Sequence, residues 1–427
     1  MSDSWLEMSL EEAGVLLIDC EHRTPAAAEE GYPYVAIPQL RDGRIDFSTA
    51  RRITRDDFIS WTRKARPQAF DVVLSRRCNP GETAFAPSDT EFAVGQNLVL
   101  LRADGTKVYP AFLRWLVRSE AWWEQVGKFI NVGAVFDSLK CADVPKFVLP
   151  IPSLPEQQAI NDVLGPLDDK IELNRRMNET LEEIAQAIFK SWFIDFDPVR
   201  AKMENRDPRL ASEIADLFPD RLVESELGEI PEGWSVVPLD QMGRFLNGLA
   251  LQKFPPEDGQ WLPVIKIAQL RAGSVEGADR ASAGLDADYV VEDGDILFSW
   301  SGSLECVFWA GGRGALNQHL FKVTSERYPR WLLYLAIHQH LEEFRQIAAG
   351  KATTMGHIQR HHLGDAKIAI PPDKLLRACD KVFSPIVEGT WKRQLELCTL
   401  AAIRDQLLPK LISGEIRVAA AREAVGA

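Results

Sequence analysis

The chain is short of cysteine and has no long apolar run. Its six cysteines (Cys20, Cys78, Cys141, Cys306, Cys379 and Cys398) are scattered over 427 residues without a CxxC pair. That spacing suits neither a disulfide framework nor a zinc site, and reduced thiols are expected. Cys20-Glu21-His22 is the nearest approach to a ligand cluster and reads as a local loop, so no metal is expected. No apolar run approaches the roughly 18 to 20 residues a bilayer span needs, and Met1-Ser2-Asp3-Ser4-Trp5 sets no basic stretch before an apolar core. A cytoplasmic protein with no membrane partner is the expectation. No GxGxxG opens a helix, and Gly350-Lys351 lacks the distal glycine and the following hydroxyl of a phosphate-binding loop.

What is present is ordinary globular composition, 46% hydrophobic and 26% charged, at a length that calls for two or three domains. The formal charge of -13 is unevenly spread. Between Arg41 and Arg77 ten basic residues stand against five acidic ones, whereas Glu156 to Glu183 has eight acids and three bases, and Glu204 to Glu232 nine acids and three bases. Screening confines such fields to about a Debye length, so local surfaces matter more than the net value.

The sequence repeats itself. Val35 to Gly43 matches Ile265 to Gly273 at an offset of 230, and Asp71-Val72-Val73-Leu74-Ser75 matches Asp295-Ile296-Leu297-Phe298-Ser299 at 224. Tyr109-Pro110-Ala111-Phe112-Leu113 matches Tyr328-Pro329-Arg330-Trp331-Leu332 at 219, and Pro166 falls on Pro385 at the same offset. Ordered matches with a slowly drifting offset indicate a duplicated unit of roughly 220 residues.

Each unit opens with a mixed part. Strand-like runs (Asp71 to Leu74, Asn97 to Leu101, Asp295 to Phe298, His319 to Val323) alternate with helical stretches over Tyr109 to Val126 and Tyr328 to Ile347, giving an α/β domain. Trp115, Trp122 and Trp123 fall on the first of these stretches and read as core. Each unit then closes with a long helix. Leu164, Leu167, Ile171, Asn174, Asn178, Leu181, Ala185, Ile188 and Trp192 keep 3,4 spacing, as do Phe383, Ile386, Thr390, Arg393, Leu397, Leu400, Arg404, Leu407 and Leu411.

The two seams most simply bury each other. Their polar interruptions, Asn174 with Asn178 and Thr390 with Arg393, either fix register and orientation from within or lie at the seam edge. Ser153-Leu154-Pro155-Glu156 has the capping-box pattern, and Asp373 follows Pro371-Pro372 in the second copy. If a pseudo-twofold axis relates the copies, the two α/β domains sit at opposite ends of the paired helices. Leu167 to Phe193 alone would span about 40 Å at roughly 1.5 Å per residue, comparable with the 34 to 36 Å turn of B-DNA.

Leu149-Pro150-Ile151-Pro152-Ser153-Leu154-Pro155-Glu156-Gln157-Gln158, Leu167-Asp168-Asp169-Lys170-Ile171-Glu172-Leu173-Asn174, Ser191-Trp192-Phe193-Ile194-Asp195-Phe196-Asp197-Pro198-Val199 and Leu227-Gly228-Glu229-Ile230-Pro231-Glu232-Gly233-Trp234 closely resemble the specificity subunit of type I restriction-modification enzymes. The resemblance covers nearly the whole chain, duplication included. It implies an α+β protein of two α/β target-recognition domains separated by two long antiparallel coiled-coil spacer helices. The recognition domains would span 1–152 and 231–372, the first spacer helix 153–199, an acidic linker 200–230, and the second spacer helix with its tail 373–427.

By the same resemblance, the chain reads an interrupted, asymmetric site on double-stranded DNA. It docks two modification subunits, which bind S-adenosylmethionine and methylate adenine at N6, and, where present, two restriction subunits using ATP and Mg. This chain would hold no cofactor and carry no chemistry. Asn79-Pro80-Gly81-Glu82 and Asp197-Pro198-Val199-Arg200 indeed both fail the Asn/Asp-Pro-Pro-aromatic pattern that holds a flipped adenine. The alternative is a scaffold or orphan subunit of the same assembly that no longer reads DNA.

Domains that read different half-sites should share scaffold and phosphate contacts and differ where they read bases. Arg41 and Arg271, in the shared Gln-Leu-Arg, read as scaffold or phosphate contacts. Arg76, Arg77 and Asn79 follow a strand whose second-copy equivalent leads into Trp300 and Ser301, and a loop that differs after a matching strand suits base readout. The segment Gly350 to Arg360 is basic and hydroxyl-rich and resembles a stretch common in this family's recognition domains. Lys351, Thr353, Thr354, Gln359 and Arg360 are taken from it as DNA contacts, with a less basic counterpart near Asn131 to Ser138. Six of the seven histidines lie between His319 and His362 without the i,i+4 spacing of a helical zinc pair, and they read as polar surface or phosphate contacts.

Overall fold

The computed structural model of the chain describes residues 5–133, 136–256, 259–350 and 356–425. They form two compact units, Met1–Asp169 with Ala401–Ala427, and Lys170–Leu400. In the first unit the apolar runs become a four-stranded antiparallel sheet in the order Val15–Asp19, Leu98–Ala103, Val72–Ser75, Thr83–Phe85. Successive side chains of a strand face opposite sides, and both sides are dry. Val72, Leu74, Val99 and Leu101 enter one core, while Val73, Leu98, Leu100 and Ala84 enter another. Burial on two faces is why Val72-Val73-Leu74 is apolar throughout instead of alternating.

The second unit rebuilds this sheet as Arg244–Asn247, Leu320–Thr324, Ile296–Ser299 and Cys306–Phe308. Again it divides two cores, with Ile296 and Phe298 on one side and Leu297 and Leu320 on the other. Each unit adds a second sheet, of three strands in the first and four in the second, containing a parallel pairing, Tyr34 beside Ala93 and Val264 beside Ala315. A separate antiparallel pair completes each one, Leu6–Ser9 with Val148–Ile151 and Ser235–Pro238 with Lys367–Ile370. The sequence duplication is thus a duplication of strand order and pairing.

Residues shared by the two copies hold this scaffold. Asp71, 1% exposed, receives a two-pronged ion pair from Arg102 on the neighbouring strand, with Nε and Nη2 each 2.7 Å from a carboxylate oxygen. Its counterpart Asp295 faces Lys322 Nζ at 2.8 Å. Gln39 and Gln269 each accept a hydrogen bond through Oε1 from the backbone three residues earlier, Ala36 N at 3.1 Å and Lys266 N at 3.3 Å.

The helical stretch expected over Tyr109 to Val126 is broken in the first unit. A short helix Leu113–Leu116 ends, and Glu120–Phe129 restarts because Ser119 Oγ accepts from Trp122 N at 3.1 Å, an N-cap that competes with continuation. The second copy has no such hydroxyl and runs unbroken over Arg330–Ala349. Trp115 and Trp122 are fully buried, whereas Trp123 is 44% exposed.

The long helices are Leu154–Phe189 and Asp373–Ile412. In the first unit Leu164, Leu407 and Leu411 are buried, with Leu167 partly so. In the second, Ile171, Trp192, Phe383 and Leu397 are buried, Ile188 and Ile386 pack partly against the same core, and Leu181 and Leu400 are half-buried. The helices run antiparallel there. Asn174 Nδ2 donates to Glu396 Oε2 at 2.9 Å, while Trp192 meets Phe383 with ring centroids 5.6 Å apart. Asn174 and Thr390 lie inside the seam, 1% and 5% exposed. The expected capping box at Ser153 is not made. Glu156 instead accepts from Trp5 Nε1 at 3.1 Å and faces Arg417 at 3.6 Å.

The acidic segment 200–230 contributes the short helix Ser212–Ala215 and the hairpin Leu222–Ser225 with Gly228–Pro231, and buries Phe218 and Ile230 in the core of the second unit. Among the described residues no helix is long and apolar enough to cross a membrane. All six cysteines are free thiols.

Candidate nucleic-acid interface

In each unit the ends of the four-stranded sheet bring polar side chains from four separate segments together. In the first, Arg76 follows the strand Val72–Ser75. Its N–H donates to Asn97 O at 2.9 Å, its carbonyl accepts from Leu139 N at 2.9 Å, and Arg77 bridges to Ser138. In the second, Trp300 N donates to His319 O at 3.3 Å, Trp300 O accepts from Ile358 N at 3.0 Å, and Ser301 bridges to His357. The backbone network is the same in both.

The side chains mounted on that network differ. Arg76 Nη2 lies 3.9 Å from Asp19 Oδ1, at the end of the strand Val15–Asp19, and Arg76 Nη1 donates to Leu139 O at 3.4 Å. In the equivalent place Trp300 Nε1 donates to Asn247 Oδ1 at 2.9 Å and to Gln318 O at 3.1 Å. Arg77, Cys78 and Asn79 stand exposed beyond, with the Arg77 guanidinium 5.7 Å from the centre of the Phe136 ring. The turn after them is held by Trp122 Nε1, which donates to Gly81 O at 3.0 Å. Gly81 adopts φ +97°, and a Cβ there would meet Val126 and Trp123 below 3.0 Å, so glycine is required. Ser301 is buried at 3% exposure and pairs with His319 Nδ1 at 3.0 Å. The His319 ring also lies 5.6 Å from Trp300.

The other expected contacts are dispersed. Arg41 donates to Pro38 O at 3.2 Å and faces Asp46 at 3.7 Å, and Arg271 faces Glu305 at 3.5 Å; both are exposed. Gln359 and Arg360 are exposed at the start of the helix Arg360–Asp365, where Arg360 Nη2 reaches Phe245 O at 3.4 Å. Lys351, Thr353 and Thr354 lie outside the described residues.

Sequence reasoning did not single out Asp19, Asn97, Asn247 or Gln318, which close these clusters. Their shared signal is position, immediately beyond or before an apolar strand. The histidines divide: His319 and His357 belong to the second cluster, but His338 is core-facing, with Nε2 2.9 Å from Cys306 O. Burial pulls its pKa down to about 4.

Asp19, Cys20 and His22 bring three ligand-type atoms within 4.8 Å of one another. Burial pushes the Cys20 thiol up to about 11, and it donates to Gly95 O at 3.2 Å, which keeps it protonated at neutral pH. His22 Nε2 lies 3.0 Å from Asp19 Oδ2 and so braces the first cluster.

Residues 22–183 and 231–375 match the family described as type I restriction modification DNA specificity domain. The chain belongs to that family. As a type I specificity subunit it is a recognition chain and not an enzyme, and DNA and the other subunits of a type I complex are its partners. The HindI specificity subunit of Haemophilus influenzae is 27% identical over 397 residues, 81% of this chain and 86% of that protein. The MjaIX specificity subunit of Methanocaldococcus jannaschii is 28% identical over 364 residues, covering 81% and 78%. The crystal structure of a type I S subunit from M. genitalium shares the fold, with a TM-score of 0.55 over 96% of this chain and 97% of that one at 14% identity.

Proposed function

We propose that this specificity subunit reads a bipartite, asymmetric DNA target through its two strand-end clusters, one half-site per recognition domain. The observation that carries the reading is a common backbone network bearing unlike side chains. Shared parts fix register on DNA and unlike parts discriminate bases. In the first domain the exposed Arg77 and Asn79 are the base-reading candidates, suited to guanine and adenine edges respectively, with Arg76 and Asp19 as their support. In the second, Trp300, Ser301, Asn247, Gln318 and His319 form the platform, and Lys351, Thr353, Thr354, Gln359 and Arg360 supply phosphate and edge contacts. Arg41 and Arg271 are phosphate or scaffold residues.

The paired helices are the docking surface for two modification subunits. An exposed apolar stripe on the first helix supports this, formed by Leu173, Met177 and Ile184 at 52%, 37% and 41% exposure. S-adenosylmethionine belongs to those subunits, and ATP with Mg to two restriction subunits where these accompany them; this chain holds no cofactor and works in the cytoplasm. The test is a genome-wide map of N6-methyladenine with and without this gene while the modification subunit is expressed. Loss of one bipartite motif is expected; an unchanged map would make the chain a non-reading scaffold.

A further inference from the structure

Where the first strand-end cluster has Asn97, the second has His319; each offers its carbonyl to the residue that follows the matching strand. His319 uses both ring nitrogens. Nδ1 lies 3.0 Å from Ser301 Oγ, and Nε2 lies 3.4 Å from Gln318 Nε2.

The frame around this ring is pinned. Gln318 N donates to Leu249 O at 2.9 Å, Gln318 O accepts from Trp300 Nε1 at 3.1 Å, and His319 N donates to Asn317 Oδ1 at 3.2 Å. The ring is 5.6 Å from Trp300, which meets His357 edge-on at 6.2 Å. Only the Gln318 carboxamide and the Ser301 hydroxyl hydrogen are left to respond to what the ring does.

An amide nitrogen only donates, so the Nε2 that faces it is the unprotonated nitrogen, and Nδ1–H donates to Ser301 Oγ. Gln318 is partly exposed, and with its nitrogen on the ring its Oε1 points away, presenting an acceptor. A protonated ring reverses that polarity. Two N–H donors cannot face an amide nitrogen, so the carboxamide turns end for end, places Oε1 on Nε2–H and presents its NH2 outward. Nδ1–H goes on donating to Ser301, so that side of the ring is unchanged.

The segments that meet here bring two further titratable or charged side chains among the described residues. His357 lies beyond Trp300, and Arg360 Nη2 reaches Phe245 O on the strand that ends at Asn247. On the flanking strands and turn, Asp295 is held by Lys322 at 2.8 Å and Glu305 by Arg271 at 3.5 Å. Both carboxylates are thus engaged away from the ring.

We propose, resting on the reading of this cluster as a DNA platform, that His319 is a positioning residue that sets the hydrogen-bond polarity of Gln318 and so makes the base preferred at one position of the second half-site depend on proton uptake. With the ring neutral, the outward acceptor selects an amino-bearing edge, adenine N6 or cytosine N4. With the ring protonated, the outward NH2 selects an acceptor edge, guanine O6 or thymine O4. Imidazole is the side chain whose charge ordinarily changes between about pH 5 and pH 8.

The test is selection of bound duplexes from a randomised pool by the full chain assembled with its modification subunits, at about pH 5.5 and about pH 8.5. One position of the second half-site should move from amino-bearing to acceptor-bearing bases as the pH is lowered, by at least about fivefold in relative affinity. His319→Phe keeps a ring against Trp300 and removes both nitrogens. It should still bind DNA, which reports that it is folded, with the preference at that position reduced to within about twofold and equal at both pH values. Gln318→Met should give the same loss. A preference in the parent that ignores pH, or a shift that survives His319→Phe, overturns the inference and leaves the platform standing. A second half-site unaltered by Gln318→Met removes Gln318 from the platform and overturns the inference with it.

Discussion

Arg404 Nη1 donates to Asp168 Oδ1 at 2.7 Å, joining the two long helices of the first unit through a guanidinium that is 9% exposed. Arg114 adds a weaker contact to the same carboxylate at 3.7 Å. Removing one partner of a buried pair leaves the other unpaired. Arg404→Ala should therefore destabilise the first unit by about 2 to 3 kcal/mol. Arg404→Leu combined with Asp168→Leu should recover only part of that loss, because Arg114, 8% exposed, then loses its nearest carboxylate. Hydrogen exchange over 154–169 and 401–412 is the measurement, since a two-unit chain has no single unfolding midpoint. A single variant that exchanges like the parent would remove this pair from the account of how the helices associate.

Arg77 stands free of the core, so Arg77→Ala should leave the fold intact and lower discrimination at the first half-site alone. A lost bidentate base contact corresponds to about 1–3 kcal/mol, roughly five- to 150-fold. Competition binding against targets altered in one half-site at a time reads this out. Equal loss for both half-sites would make Arg77 a phosphate contact.

Lys351 and Arg360 are taken as phosphate contacts of the second domain. Changing both to Ala should reduce the slope of log affinity against log salt by about two units, with little change in base preference. Anisotropy titrations over a range of salt concentrations give the slope directly, and an unaltered slope would place both residues off the DNA.

His338 is neutral in the folded chain because burial depresses its pKa to about 4. An unfolded histidine titrates near 6.5, so the unfolded state binds more protons in the interval between. This contribution to stability is full above about pH 6.5 and is lost as pH falls toward 4. His338→Gln should flatten the pH dependence of urea unfolding over that interval, followed through the second unit. A parallel curve for the variant would show that the acid sensitivity arises elsewhere.

Asp71→Asn removes the charge that Arg102 clamps beside a buried strand end. A loss of about 2 to 3 kcal/mol in the first unit is expected, read as faster exchange of the strand amides around Val72 and Leu100. Unchanged exchange would show that the aspartate shared by the two copies is dispensable to the sheet.

Much of this architecture was legible in the residues because it rests on local periodicity. Matched segments such as Asp71 to Ser75 and Asp295 to Ser299 became matched strands, and 3,4 spacing from Leu164 to Trp192 became one side of a helix pair. The break at Ser119 was not legible, since a hydroxyl that caps one helix and a hydroxyl on another's surface look alike in sequence. The interface was only half visible. Arg76, Arg77 and Asn79 could be picked out as a loop that varies between the copies, but Asp19 and Asn97 meet Arg76, and Ser138 meets Arg77, only through strand pairing across long separations.

The first unit takes residues from both ends of the numbering, 1–169 and 401–427. Its second-helix leucines Leu407 and Leu411 belong to the same buried cluster as Leu164 and Trp115. During synthesis, the domain that leaves the ribosome first therefore waits for the residues that leave near the end, after the whole of the second unit has emerged and can fold. Completion of the first DNA reader becomes a report that translation has run through to the second helix. A chain arrested before residue 400 would present an open apolar face instead of a finished recognition domain, and would be a target for quality control before it could direct any partner to DNA.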